Sequence, residues 1–66
     1  MMNLTQLEQA AGRARTLKEK AWQLWAILPD GDDAVLAWDI YQSAKAAHDY
    51  FTERCIKARR EKGTAA

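Results

Sequence analysis

The chain has 66 residues, 48% of them hydrophobic and 29% charged, a globular composition for a single small domain. Ten Lys and Arg against nine Asp and Glu leave a formal net charge of +1, so bulk charge marks neither a strongly basic nucleic-acid binder nor an acidic tail. A lone cysteine, Cys55, excludes an intramolecular disulfide framework and any cysteine-cluster metal site.

The first fifteen residues lack the apolar core of a signal peptide, because Glu8, Gln9, Arg13 and Arg15 interrupt it. The longest weakly polar stretch, Ala21 to Leu28, contains Gln23 and falls far short of the roughly 20 residues that span a bilayer. The expected location is the cytoplasm, where a reduced thiol is ordinary.

The first predicted element is a helix over 3–28. Asn3 or Thr5 serves as its cap, and Thr5 followed by Glu8 fits a capping box. Leu7, Ala14, Ala21 and Leu28 form one heptad row, with Ala10, Leu17 and Leu24 beside it. Leu4, Ala11 and Trp25 widen the stripe, Lys18 breaks it, and Trp22 lies just beyond. Gly12 falls on the far side, at a cost of about 1 kcal/mol relative to alanine.

Pro29-Asp30-Gly31-Asp32-Asp33 is the one strong punctuation mark. Proline cannot continue a helix and glycine suits a tight turn. A turn over 29–32 follows, with Asp32 or Asp33 capping what comes next.

The second predicted element is a helix over 33–62, with residues 63–66 as a frayed tail. Its stripe is Ala34, Ala37, Tyr41, Ala44, His48, Phe51, Cys55 and Ala58, with steps alternating between three and four, a coiled-coil spacing. Alanines in such a row let two backbones approach closely. A second strip holds Leu36, Ile40, Ala47 and Tyr50, and Val35, Trp38 and Ile56 are also off the main seam.

A short polar turn between two long amphipathic helices predicts an all-α fold, an antiparallel hairpin forming one domain over 1–66. A hairpin buries one stripe per helix. Trp22, Trp25, Leu36, Trp38, Ile40 and Tyr50 remain, and each aromatic among them carries roughly 150–250 Å². The expected remedy is a homodimer packed as a four-helix bundle. Asp30, Asp32, Asp33 and Asp39 gather near the turn, and Arg54, Lys57, Arg59, Arg60 and Lys62 near the opposite end, which favours antiparallel pairing.

This layout resembles the Rop-type RNA-binding modulators in chain length, in its two helices, in its acidic loop and in a cysteine on the second helix's stripe. The resemblance is architectural and assigns no residue roles.

No residue set points to catalysis, a cofactor or a metal. His48 sits on the apolar stripe with Asp49 about 100° away on the wheel, so a core or dimer-axis histidine is expected, one able to make dimer stability pH-dependent. Cys55, a heptad further on, reads as a small core residue. The aspartates of the turn lack the spacing and closing glutamate of a calcium loop. The polar face of the first helix mixes acids with bases, which argues against a membrane-surface role.

Leu17, Leu24, Trp25, Tyr41, His48, Phe51 and Cys55 are the expected core or dimer contacts. Trp22, Trp38 and Tyr50, with Arg15 and Lys18, are the expected contacts to a larger protein, since Trp, Tyr and Arg dominate interface hot spots. The functional expectation is a non-enzymatic protein–protein interaction module that modulates or inhibits a larger protein. Such adaptors, antagonists and anti-activators are a class that phages and mobile elements commonly encode. The alternative is a Rop-like RNA- or DNA-binding dimer using the basic run from Arg54 to Lys62.

Overall fold

The computed structural model describes residues 2–64, with side chains through Glu61. Two helices, α1 (Leu4–Ile27) and α2 (Asp32–Thr64), pack against each other as a hairpin measuring 53 × 18 × 13 Å. No helix is long and apolar enough to cross a membrane among the described residues.

The start of α1 differs from the Thr5–Glu8 expectation. Asn3 is the cap: its side chain accepts from the Gln6 backbone N–H at 2.9 Å, and the Gln6 side chain accepts from the Asn3 N–H at 3.0 Å. Asparagine and glutamine satisfy the same reciprocal geometry as the serine–glutamate form, two residues earlier than Thr5 would place it. Glu8 is thereby left for a contact with α2.

Pro29 ends α1. The residue before a proline is pushed into extended backbone, and Leu28 has φ −86° and ψ 139° while its N–H still bonds the Trp25 carbonyl at 3.3 Å. Gly31 takes φ 154°, a value that side chains disfavour, and its carbonyl accepts from the Val35 N–H at 3.1 Å. Asp32 and Asp33 thus lie inside the first turn of α2, where their charge meets the positive helix end. The expected tail is helical as far as Thr64, and residues 65–66 lie outside the described residues. Gly63 alone does not stop a helix, since a glycine inside one costs only about 1 kcal/mol.

The seam consists of small side chains. The buried residues are Leu7, Ala14 and Ala21 from α1, and Ala34, Ala37, Ala44 and Cys55 from α2. Tyr41, His48, Phe51 and Ala58 are half-buried along the α2 row. On α1 the half-buried flank is Leu4, Ala11, Lys18 and Trp25, whereas Leu17 and Leu24 are 53% and 44% exposed. The α1 stripe therefore leans to one side of the Leu7–Ala14–Ala21 row, the side on which its tryptophans meet α2. Ala37 and Ala44, 1% and 2% exposed, leave room only for close backbone approach. A core built this way buries little apolar area, and the large hydrophobic side chains lie outside it.

Candidate functional site

The hairpin carries two apolar faces, one on each side of the alanine seam. Ala37 and Ala44 point to α1, so the residue after Ala37 turns about 100° one way and the residue before Ala44 about 100° the other. Trp38 lies on the first side, Ser43 and Leu36 on the second.

The first face is aromatic. Trp22 and Trp25 are three apart on α1, Trp38 and Tyr41 three apart on α2, and helical spacing puts each pair on one side. Ring centroids lie 5.1 Å apart for Trp22–Trp25, 5.2 Å for Trp25–Trp38, 5.2 Å for Trp38–Tyr41 and 5.6 Å for Trp22–Tyr41. All are tilted pairs within the favourable range for aromatic contact. The four rings join the two helices beside the turn. Trp22 remains 46% exposed and Trp38 37%, so the cluster is wet on its outer side. Lys18, Glu19 and Gln23 border Trp22 and Tyr41 in one shallow groove, and Asp30, Gly31 and Val35 border Trp25 and Trp38 in another. Arg15, one turn from Glu19, is held to it at 3.2 Å.

Of the expected partner contacts, Trp22, Trp38 and Lys18 thus share this side. Tyr50 does not join them: its ring meets Phe51 edge-on at 5.1 Å, and its hydroxyl accepts from Arg54 at 3.3 Å. Twelve residues from Trp38, it stands about 18 Å along α2.

The second face is aliphatic. Leu17, Leu24, Leu36 and Ile40 are 53%, 44%, 61% and 39% exposed. Leu17, Ile40, Ala44 and Ala47 line one groove with Asp39 and Ser43 at its edge. Of the expected core or dimer contacts, Trp25, Tyr41, His48, Phe51 and Cys55 lie in or beside the seam, and Leu17 and Leu24 on this outer face.

His48 and Cys55 stand a heptad apart on α2. The His48 side chain is 23% exposed, its Nδ1 has no hydrogen-bond partner, and the Asp49 carboxylate at 3.9 Å is beyond hydrogen-bond reach. Cys55 is a buried free thiol. Among the described residues, no group of three or more His, Cys, Asp or Glu could hold a metal ion.

At the open end, Arg59 donates to Glu8 at 3.2 Å, and the Arg54 guanidinium lies 5.7 Å over the Tyr50 ring. The basic run is spread around α2, since Arg59 and Arg60 point about 100° apart. The side chain of Lys62 lies outside the described residues.

The Glu8–Arg59 pair and the joining of the four rings were not visible as single motifs. The signal that finds both is antiparallel register about the turn, which carries Trp25 to Trp38 and Trp22 to Tyr41. Comparison of the chain with protein-family models, with curated proteins and with solved structures finds no match.

Proposed function

We propose that this chain is a non-enzymatic protein–protein interaction module. The hairpin pairs with a second copy into a four-helix bundle and offers its aromatic cluster to a larger protein, as an adaptor, antagonist or anti-activator does. One observation carries the reading: large apolar side chains stand exposed on both sides of a seam made of alanines, with Trp22 at 46% on one side and Leu36 at 61% on the other. The described residues of the hairpin leave both sides uncovered, and contiguous exposed apolar surface marks an interaction site.

The two faces differ in what they suit. Aliphatic side chains in a groove suit helix-on-helix packing. A half-exposed cluster of tryptophans bordered by Lys18, with Arg15 held to the bordering Glu19, has the composition of an interface hot spot. The side-chain pairs Arg15–Glu19, Arg59–Glu8 and Arg54–Tyr50 set cations against acceptors, which is not the nucleophile-and-base arrangement of an active site. The nucleic-acid alternative draws on an open end whose arginines are partly engaged within the hairpin, so the geometry favours a protein partner.

The test is cross-linking in extracts of the cell that makes the protein, comparing wild type with Trp22→Ala and with Ile40→Glu. The reading expects a cross-linked partner that the tryptophan variant loses and the Ile40 variant keeps. No partner, or the same partner captured by every variant, overturns it.

A further inference from the structure

The geometry points to a second copy of this chain as the occupant of the aliphatic face, stacked antiparallel about a two-fold axis that crosses α2 at Ser43. This deepens the proposal above and rests on its statement that the hairpin self-associates.

Three observations converge on that axis. The first is the pattern along α2. Leu36 and Tyr50 stand seven residues either side of Ser43, and Asp32 and Arg54 eleven residues either side. Seven and eleven residues are close to whole numbers of turns, so all four share the side of Ser43. Ile40 and Ala47, at three and four residues, lean inward to the groove. A two-fold at Ser43 lays Leu36 on the copy's Tyr50 and Asp32 on its Arg54, and brings Ile40 within one residue of level with the copy's Ala47. Each contact occurs twice, as an isologous interface requires.

The second is the level of the same axis on α1. The contacts Trp25–Trp38 and Trp22–Tyr41, at 5.2 and 5.6 Å, set the antiparallel register of the two helices. In that register the midpoint between Leu17 and Leu24, beside Ala21, falls level with Gln42 and Ser43. One axis therefore lays Leu17 on the copy's Leu24 while it pairs the α2 helices. Two helices of unrelated sequence share one centre of self-complementarity.

The third is charge. Antiparallel stacking brings the acidic turn, with Asp30 and Asp32, to the copy's Arg13 and Arg54. Parallel stacking sets four aspartates of one turn region against those of the other. Opposite charges across an interface fix orientation and exclude the wrong arrangement. The stretch from Asp32 to Arg54 is about 33 Å long and one 18 Å hairpin wide. That is roughly 600 Å² in plan per copy, close to the ~800 Å² per partner of a stable interface. The aromatic cluster lies on the opposite side and stays outside the dimer.

The experiment is disulfide trapping in a Cys55→Ala background whose helicity matches wild type. Ser43→Cys is expected to form a covalent dimer under mild oxidation. Asp32→Cys alone and Arg54→Cys alone are expected not to, whereas a mixture of the two is. In the native background, Ile40→Glu should weaken self-association by at least about 100-fold through a charge buried without a partner. Asp32→Arg should weaken it, and Asp32→Arg with Arg54→Asp should restore it. Efficient self-linking of Asp32→Cys, or a dimer that Ile40→Glu does not disturb, overturns this face and axis while leaving a self-associating module in place. A wild-type chain that is monomeric overturns the self-association itself.

Discussion

Trp25 of α1 and Trp38 of α2 place their ring centroids 5.2 Å apart across the hairpin, and Trp22 and Tyr41 extend the contact on either side. Near the turn the buried seam residues are the alanines Ala21, Ala34 and Ala37, and these rings supply the large-side-chain contact between the helices there. They hold the hairpin closed from one side, and two of them, Trp22 and Trp38, are also exposed.

Trp25→Ala is therefore expected to destabilise the hairpin by about 2 kcal/mol, below the full cost of truncating a completely buried tryptophan because the cluster is partly wet. Trp22→Ala, with Trp22 at 46% exposure, should cost less. Urea unfolding followed by circular dichroism checks both, and equal, negligible losses would contradict the packing described.

The alanine seam predicts intolerance to size. Ala37→Leu and Ala44→Leu force apart backbones in close contact, and each should cost about 1–3 kcal/mol. Ala46→Leu, on an exposed position of the same helix, should stay within about 0.5 kcal/mol of wild type. Thermal melts of the three variants separate the two outcomes.

Helix starts give a prediction in which neighbouring residues differ. Asn3→Ala removes one half of the capping box and should cost about 1 kcal/mol. Thr5→Ala, inside the helix and exposed, should change stability by less than about 0.5 kcal/mol. The reverse order would place the cap at Thr5.

The two described central glycines should respond with opposite signs. Gly31 holds φ 154°, so Gly31→Ala forces a side chain into a disfavoured conformation and should cost about 1–3 kcal/mol. Gly12 is mid-helix with nothing within 4 Å of an added Cβ, so Gly12→Ala should stabilise by about 0.5–1 kcal/mol. Both are read from the shift in the urea midpoint.

Much of the fold is legible in the sequence because its signals are long and redundant. The alternating three-and-four steps from Ala34 to Ala58 run through every turn of α2 that faces α1, and Pro29-Asp30-Gly31 leaves one place for the chain to reverse. The flank of α1 was harder to read. Leu17 and Leu24 look like core by hydrophobicity, but rotation about the Leu7–Ala14–Ala21 row decides which flank packs, and the four rings settle it toward Lys18 and Trp25. Asn3 is one of two candidate caps in the sequence, and the capping box reads there as Thr5–Glu8 because that pair matches the commoner form of the motif that Asn3 and Gln6 make. The candidate site was legible as residues and not as faces: Trp22, Trp38 and Lys18 come together, whereas Tyr50 belongs with Arg54 on the other side.

The proposed pairing follows from a seam too small to cover the apolar side chains that flank it. Sedimentation equilibrium of the wild-type chain over a range of micromolar concentrations tests this directly. The account predicts a species of twice the 7.5 kDa chain mass, shifting to the single-chain mass in Ile40→Glu with helicity retained. A wild-type chain that sediments as a single copy across that range, with the same mass in Ile40→Glu, would contradict it.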